Sequence, residues 1–214
     1  MDGSRFVGRL CASGAIVVAM ALTARGQDAG VKQLEKVVGR AETTVEAIGA
    51  TQLQLTKTMD VYNALMAQDA KDRKGLYKKL QAEMAGTEKR RGEIKVRADE
   101  MRGESEILFQ SWTDSLRLIE NPDLRKRSEE RQAKLRAAFA EIAATGQKAA
   151  DLYVPVMKTL QDQVAFLGHD LNAGALASLE QDAVKLNKQV QELSKRMDET
   201  IIIANGTIST LRPQ

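Results

Sequence analysis

The stretch Val31 to Met66 reads VKQLEKVVGRAETTVEAIGATQLQLTKTMDVYNALM, and its spacing decides the fold. Val31, Leu34, Val38, Ala41, Val45, Ile48, Gln52, Leu55, Met59, Tyr62 and Met66 follow one another at alternating intervals of three and four residues. A mean spacing of about 3.5 residues draws one apolar seam along a helix, and that seam must be buried against other helices. Gln52 is the one polar member, and a polar residue on such a seam fixes register.

The same pattern continues outward through the chain. Residues 67–75 are polar and end in Gly75, which marks a helix–helix turn. Tyr77, Leu80, Met84, Ile94, Ala98, Met101, Leu108, Trp112 and Ile119 carry a second seam, on which Thr87, Arg91, Ser105 and Ser115 also fall. Those polar members predict a helix that packs less completely, with Arg91 reaching out by its long stem. Trp112, beside Leu108, Phe109 and Leu116, reads as a core anchor. Asn121-Pro122-Asp123 stops this helix, and Asp123 is expected to cap the next. Pro155 predicts a kink in the third helix. Gly168-His169-Asp170-Leu171-Asn172 reads as the last turn, with Asn172 as cap, before Leu176, Leu179, Ala183, Leu186, Val190, Leu193, Met197, Ile201, Ala204 and Ile208.

The fold class is therefore all-α, an elongated antiparallel helical bundle or coiled coil of about four long helices, near 30–67, 75–120, 123–168 and 173–211. Each would run about 50–70 Å at 1.5 Å per residue. Two separate hairpins that pair with other chains would satisfy the same pattern. Composition agrees: aromatics make up only 4% of the 214 residues, charged residues 29%, and the three prolines leave room for long helices. No alternating β-branched runs mark strands.

The amino terminus reads as an address. Arg5 and Arg9 precede Leu10 to Ala24, LCASGAIVVAMALTA, a stretch without charge and too short to span a bilayer comfortably. This is the form of a secretory signal peptide over residues 1–26, with cleavage after Ala24 or Gly26, followed by a single helical domain over 27–214. A retained anchor is the alternative. Cys11, the only cysteine, stands at the start of the apolar stretch, where a lipoprotein leader would carry it at the end. Loss of the leader would leave no thiol for a disulfide or a nucleophile. The expected compartment is the periplasm or the exterior, with no transmembrane span in the mature chain.

Several segments resemble a known family. Leu108-Phe109 with Trp112, Leu124-Arg125 with Ser128, Pro155-Val156-Met157, and the run Leu160 to Ala173 resemble a bacterial family termed domain of unknown function 2959. The resemblance is sharpest over 108–179 and implies an exported, predicted coiled-coil protein, often a lipoprotein. This chain departs from that pattern in having Gly168-His169-Asp170 where the family carries Lys-His-Asn, and in the position of Cys11. The family has no assigned activity.

Catalytic chemistry finds little footing. With one histidine, Ser–His, Cys–His and di-iron arrangements would all depend on His169, and the bundle di-iron motif needs two histidines. No zinc spacing, EF-hand loop, P-loop or dinucleotide fingerprint occurs, so no catalytic, metal or cofactor-binding residue and no small-molecule substrate is assigned. Asp99-Glu100 and Glu129-Glu130 are adjacent, so they point apart on a helix. Met59, Met84, Met101 and Met197 read as gap-filling core.

The net charge of +3 falls to +1 without Arg5, Arg9, Arg25 and Asp2. Lys89-Arg90-Arg91 and Arg125-Lys126-Arg127 are interleaved with glutamates, which reads as a solvated face and not as a phosphate-binding patch, so no nucleic-acid partner is expected. The expectation is a non-catalytic structural or interaction protein of the cell envelope, with a protein partner or self-association left open. A chaperone or carrier of lipid or unfolded protein is the alternative, motivated by packing slack at Thr87, Ser105 and Ser115. An enzyme reading rests only on His169.

Overall fold

The computed structural model describes the backbone of residues 14–212 and the side chains of residues 30–212. Residues 1–13 of the expected leader, and the side chains of the rest of it, lie outside that description. Among the described residues every regular element is helical: α1 (Gly14–Met66), α2 (Arg73–Leu116), α3 (Pro122–His169), α4 (Ala173–Ser178) and α5 (Glu180–Leu211). They form an elongated bundle. α1, of 53 residues, measures about 80 Å.

Capping explains where the helices start. The Asp72 side chain accepts from the Gly75 amide at 2.9 Å, so α2 begins at Arg73, and Gly75 belongs to its first turn and not to the preceding loop. A Cβ on Gly75 would lie 2.1 Å from the Asp72 carboxylate, which makes glycine the residue compatible with this cap. Asn121, not Asp123, caps α3, accepting from the Asp123 and Leu124 amides at 3.0 and 3.1 Å. Pro122 is preorganised for the first helical position, so the helix opens two residues earlier than the carboxylate suggests. Asn172 caps α4 by accepting from the Ala175 amide at 2.9 Å. Pro155 does not interrupt α3. The expected last helix is instead two, divided at Leu179, whose backbone (φ −94°, ψ −3°) closes α4 and opens α5.

Cross-helix bonds fix the arrangement. Arg40 meets Glu100 and Thr58 meets Thr87, so α1 and α2 are antiparallel. Trp112 meets Ser128 near one end of α2 and Tyr77 meets Val164 near the other, so α2 and α3 are antiparallel too. Glu42 meets Arg212 and Asn63 meets Asn187, which sets α5 against α1. α5 also packs on α3, closing a ring of four long helices.

The buried positions correct the expected seam. Along α1 they are Val37, Ala41, Thr44, Ile48, Thr51, Leu55, Thr58, Met59, Val61, Tyr62 and Leu65. Ala41, Ile48, Leu55, Met59 and Tyr62 keep their expected places, but Val37, Thr44, Thr51 and Leu65 are buried in place of Val38, Val45, Gln52 and Met66, and Val31 is 48% exposed. In a closed ring each helix touches two neighbours, so its buried face is wider than one seam. Thr58 turns to α2, while Gln52, on the other flank, donates to Asp198 and to the Ser194 carbonyl of α5. Gln52 thus ties α1 to α5 from outside the core.

Candidate functional site

The interior carries more hydroxyl groups than the apolar pattern foretold. Thr44, Thr51 and Thr58 of α1, Thr87 and Ser105 of α2, Thr145 of α3, and Thr200 and Thr207 of α5 are all buried. Each donates to the carbonyl four residues before it, as Thr51 does to Ala47 at 2.8 Å and Ser105 to Met101 at 2.7 Å. A hydroxyl satisfied by its own helix leaves the threonine methyl to pack like a small apolar residue. Apolarity alone misses these residues. The seven-residue spacing of Thr44, Thr51 and Thr58 was the available signal.

Two apolar clusters fill the rod. One gathers Leu55, Tyr62, Leu80, Leu160, Leu167, Leu186 and Leu193, among others, towards the end where α3 finishes. The other gathers Val37, Met101, Phe109, Phe139 and Ile208 towards the opposite end. Between them α1, α3 and α5 bring Thr44, Thr145 and Thr200 inward, with Gly146 against the Thr200 methyl at 3.8 Å from its would-be Cβ. The methionines expected as core filling, Met59, Met84, Met101 and Met197, are buried.

The packing slack expected on α2 is absent where it was placed. Thr87 is fully buried, 2.8 Å from Thr58 Oγ1, and Ser105 is buried as well, while Ser115 faces outward. Small residues here mark close helix approach, not a hollow. α2 does pack loosely elsewhere: from residue 88 to residue 100 none of its side chains is buried.

Two tyrosines are the buried titratable groups of the interior. Tyr62 crosses the bundle to donate to the Gln163 side-chain oxygen, with both residues buried. Burial, and then the charge of Asp182, push its phenol well above the ordinary 10.0. Tyr153, 4% exposed, has no hydrogen-bond partner for its hydroxyl. Burial, and then the charge of Glu88 and the approach of its carboxylate to the hydroxyl, raise its pKa, while Arg91, 5.2 Å from the ring centre, pulls the other way. Arg91 thus reaches out of its seam as expected and lies on a ring of α3.

His169 is the last residue of α3 and is exposed, at the carbonyl end of the helix. Gly168 beside it has a packing reason. A Cβ there would lie 2.6 Å from the Tyr77 hydroxyl, which crosses from α2 to the Val164 carbonyl at 3.2 Å. Trp112 is half-buried against the second cluster and donates to Ser128 at 2.9 Å, so the segments carrying the family resemblance form the α2–α3 contact. The basic runs stay at the surface: Arg90 pairs with Glu93, Arg91 with Glu88, and Arg125 donates to the Ile119 carbonyl.

Two depressions lie among the described residues of the surface. One is an open groove of about 410 Å³ between α1 and α5, lined by Thr56, Asp60, Asn63, Asn187, Lys195 and Asp198 over Met59 and Val190. The other is an apolar slot of about 170 Å³ where α5 stops, lined by Val31, Leu34, Val38 and Leu211, with Glu35, Glu42 and Arg212 at its edge. α5 ends beside Glu42, yet Gln33 of α1 still meets Glu104 of α2, and Gln132 of α3 still meets Phe109. The rod continues past α5 as three helices.

Among the described residues no group of three or more His, Cys, Asp or Glu side chains converges to hold a metal. Among them, too, no helix is long and apolar enough to cross a membrane. No curated protein and no solved structure matches the chain. One family model does, over residues 24–211, nearly the whole of the helical rod. The chain accordingly belongs to the family described as Protein of unknown function (DUF2959).

Proposed function

We propose that the protein is an exported, non-catalytic interaction rod of the bacterial cell envelope, in which the helices are built for a surface and not for a reaction. The observation that carries this reading is the apolar slot at the end of α5. Val31, Leu34 and Val38 continue α1's apolar flank past Leu211, and Val31 remains 48% exposed. A half-covered apolar face at the end of an otherwise closed bundle is the kind of surface a partner helix covers. The basic and apolar residues 5–24 support export. The hydroxyl-rich interior is consistent with a role without chemistry, because its groups are engaged with their own helices.

The test places a photo-crosslinking residue at Val31 or Leu34 in cells, with Lys148 on the outer face of α3 as the control. One defined partner, or a second copy, should be captured from the slot and not from the control. Equal yields from both positions, together with a purified protein that sediments as a monomer, would overturn the proposal.

A further inference from the structure

The middle of α2 differs from the helices packed beside it at the same height. From residue 88 to residue 100 it buries no side chain, whereas α1, α3 and α5 bury Thr51, Ala149, Tyr153 and Leu193 at the same height. What holds it is chiefly peripheral: the Arg40–Glu100 ion pair to α1, Ile94 partly packed on the first cluster, and Arg91 over the Tyr153 ring. Arg91 is itself steadied by Glu88 at 3.7 Å. Exposed ion pairs hold weakly. Beneath them the Tyr153 hydroxyl is shut away from solvent beside the Glu88 carboxylate without a well-formed hydrogen bond to it, an arrangement that costs free energy until water can reach it.

We propose that residues 88–100 of α2 form a gate in the side of the bundle, latched by Arg91 on Tyr153. The gate bows away from α3 while the two ends of α2, anchored by Leu80 and Met84 on one side and by Leu108 and Phe109 on the other, stay packed. Opening hydrates the Tyr153 hydroxyl and uncovers the interior around Thr51 and Ala149. Closing restores the Arg91 contact.

Hydrogen exchange of the full chain, followed by mass spectrometry, tests this. Amides of 88–100 should exchange at least about tenfold faster than those of 76–87 and 101–112, and their rate should stay flat in low guanidinium while the flanks speed up, the mark of a local opening. Tyr153→Phe removes the unpaired hydroxyl and should slow exchange in 88–100 several-fold. Arg91→Ala removes the latch and should speed it by about two- to fivefold, the range of an exposed cation–π contact. Exchange as slow as in the flanks, or as denaturant-dependent, would overturn the gate. A fast stretch whose rate neither substitution moves would overturn the latch.

Discussion

At the residue scale, the interior is organised by side chains that are polar in composition and apolar in use. Thr51 is fully buried, yet its hydroxyl bonds to the Ala47 carbonyl, so the residue contributes its methyl to the core. Thr51→Val should therefore leave stability within about 1 kcal/mol of the parent in guanidinium unfolding, as suits a replacement of equal shape. Tyr62→Phe should behave otherwise. It strands the buried Gln163 side chain and should cost about 1–3 kcal/mol by the same measurement. Gly168→Ala should destabilise by about 1–3 kcal/mol through its clash with the Tyr77 hydroxyl, and Tyr77→Phe in the same chain should recover part of that loss. Tyr62 and Tyr153 also set a pH limit. Both phenols are held neutral in the folded chain above the ordinary 10.0, so the unfolded chain sheds those protons first as pH rises. Stability should be insensitive to these groups at neutral pH and fall above about pH 10, and a Tyr62→Phe/Tyr153→Phe variant should lose most of that fall. None of these contacts could be read from spacing. A heptad reports that a position faces inward, and it is silent on which polar atom meets which across the core.

At the scale of the helix, the turns were legible because their chemistry is local. Asn172 caps where it was expected, and the polar stretch ending at Gly75 holds the first turn. Asp123 was the wrong cap because two signals competed, and Pro122 at the first helical position decided for Asn121. The division at Leu179 left no mark in the pattern, since apolar residues continue across it. The phase of α1 was half right for a geometric reason: a helix with two neighbours buries a face wider than one seam, and threonine was not counted as able to fill it. The capping account predicts that Asp72→Ala lowers stability by about 1 kcal/mol and speeds amide exchange first in residues 73–78, with the far end of α2 unaffected.

At the scale of the whole molecule, the four long helices close their seams on one another within a single chain. The sequence left this open, because two hairpins that pair with other chains present the same heptads. What distinguishes the two is contact between α1 and α5, helices distant in sequence, through Asn63–Asn187, Gln52–Asp198 and Glu42–Arg212. The same ring explains the apolar slot beside Leu211: α5 stops there while α1, α2 and α3 run on. The Asn63–Asn187 pair offers the most direct measurement. With Cys11 replaced by serine and Asn63→Cys/Asn187→Cys introduced, a short thiol-reactive crosslinker should join the two cysteines within one chain, giving a crosslinked monomer at micromolar and at nanomolar protein alike. Crosslinked dimers that disappear on dilution, with no bridged monomer, would contradict the closed rod and favour hairpins assembled from separate chains.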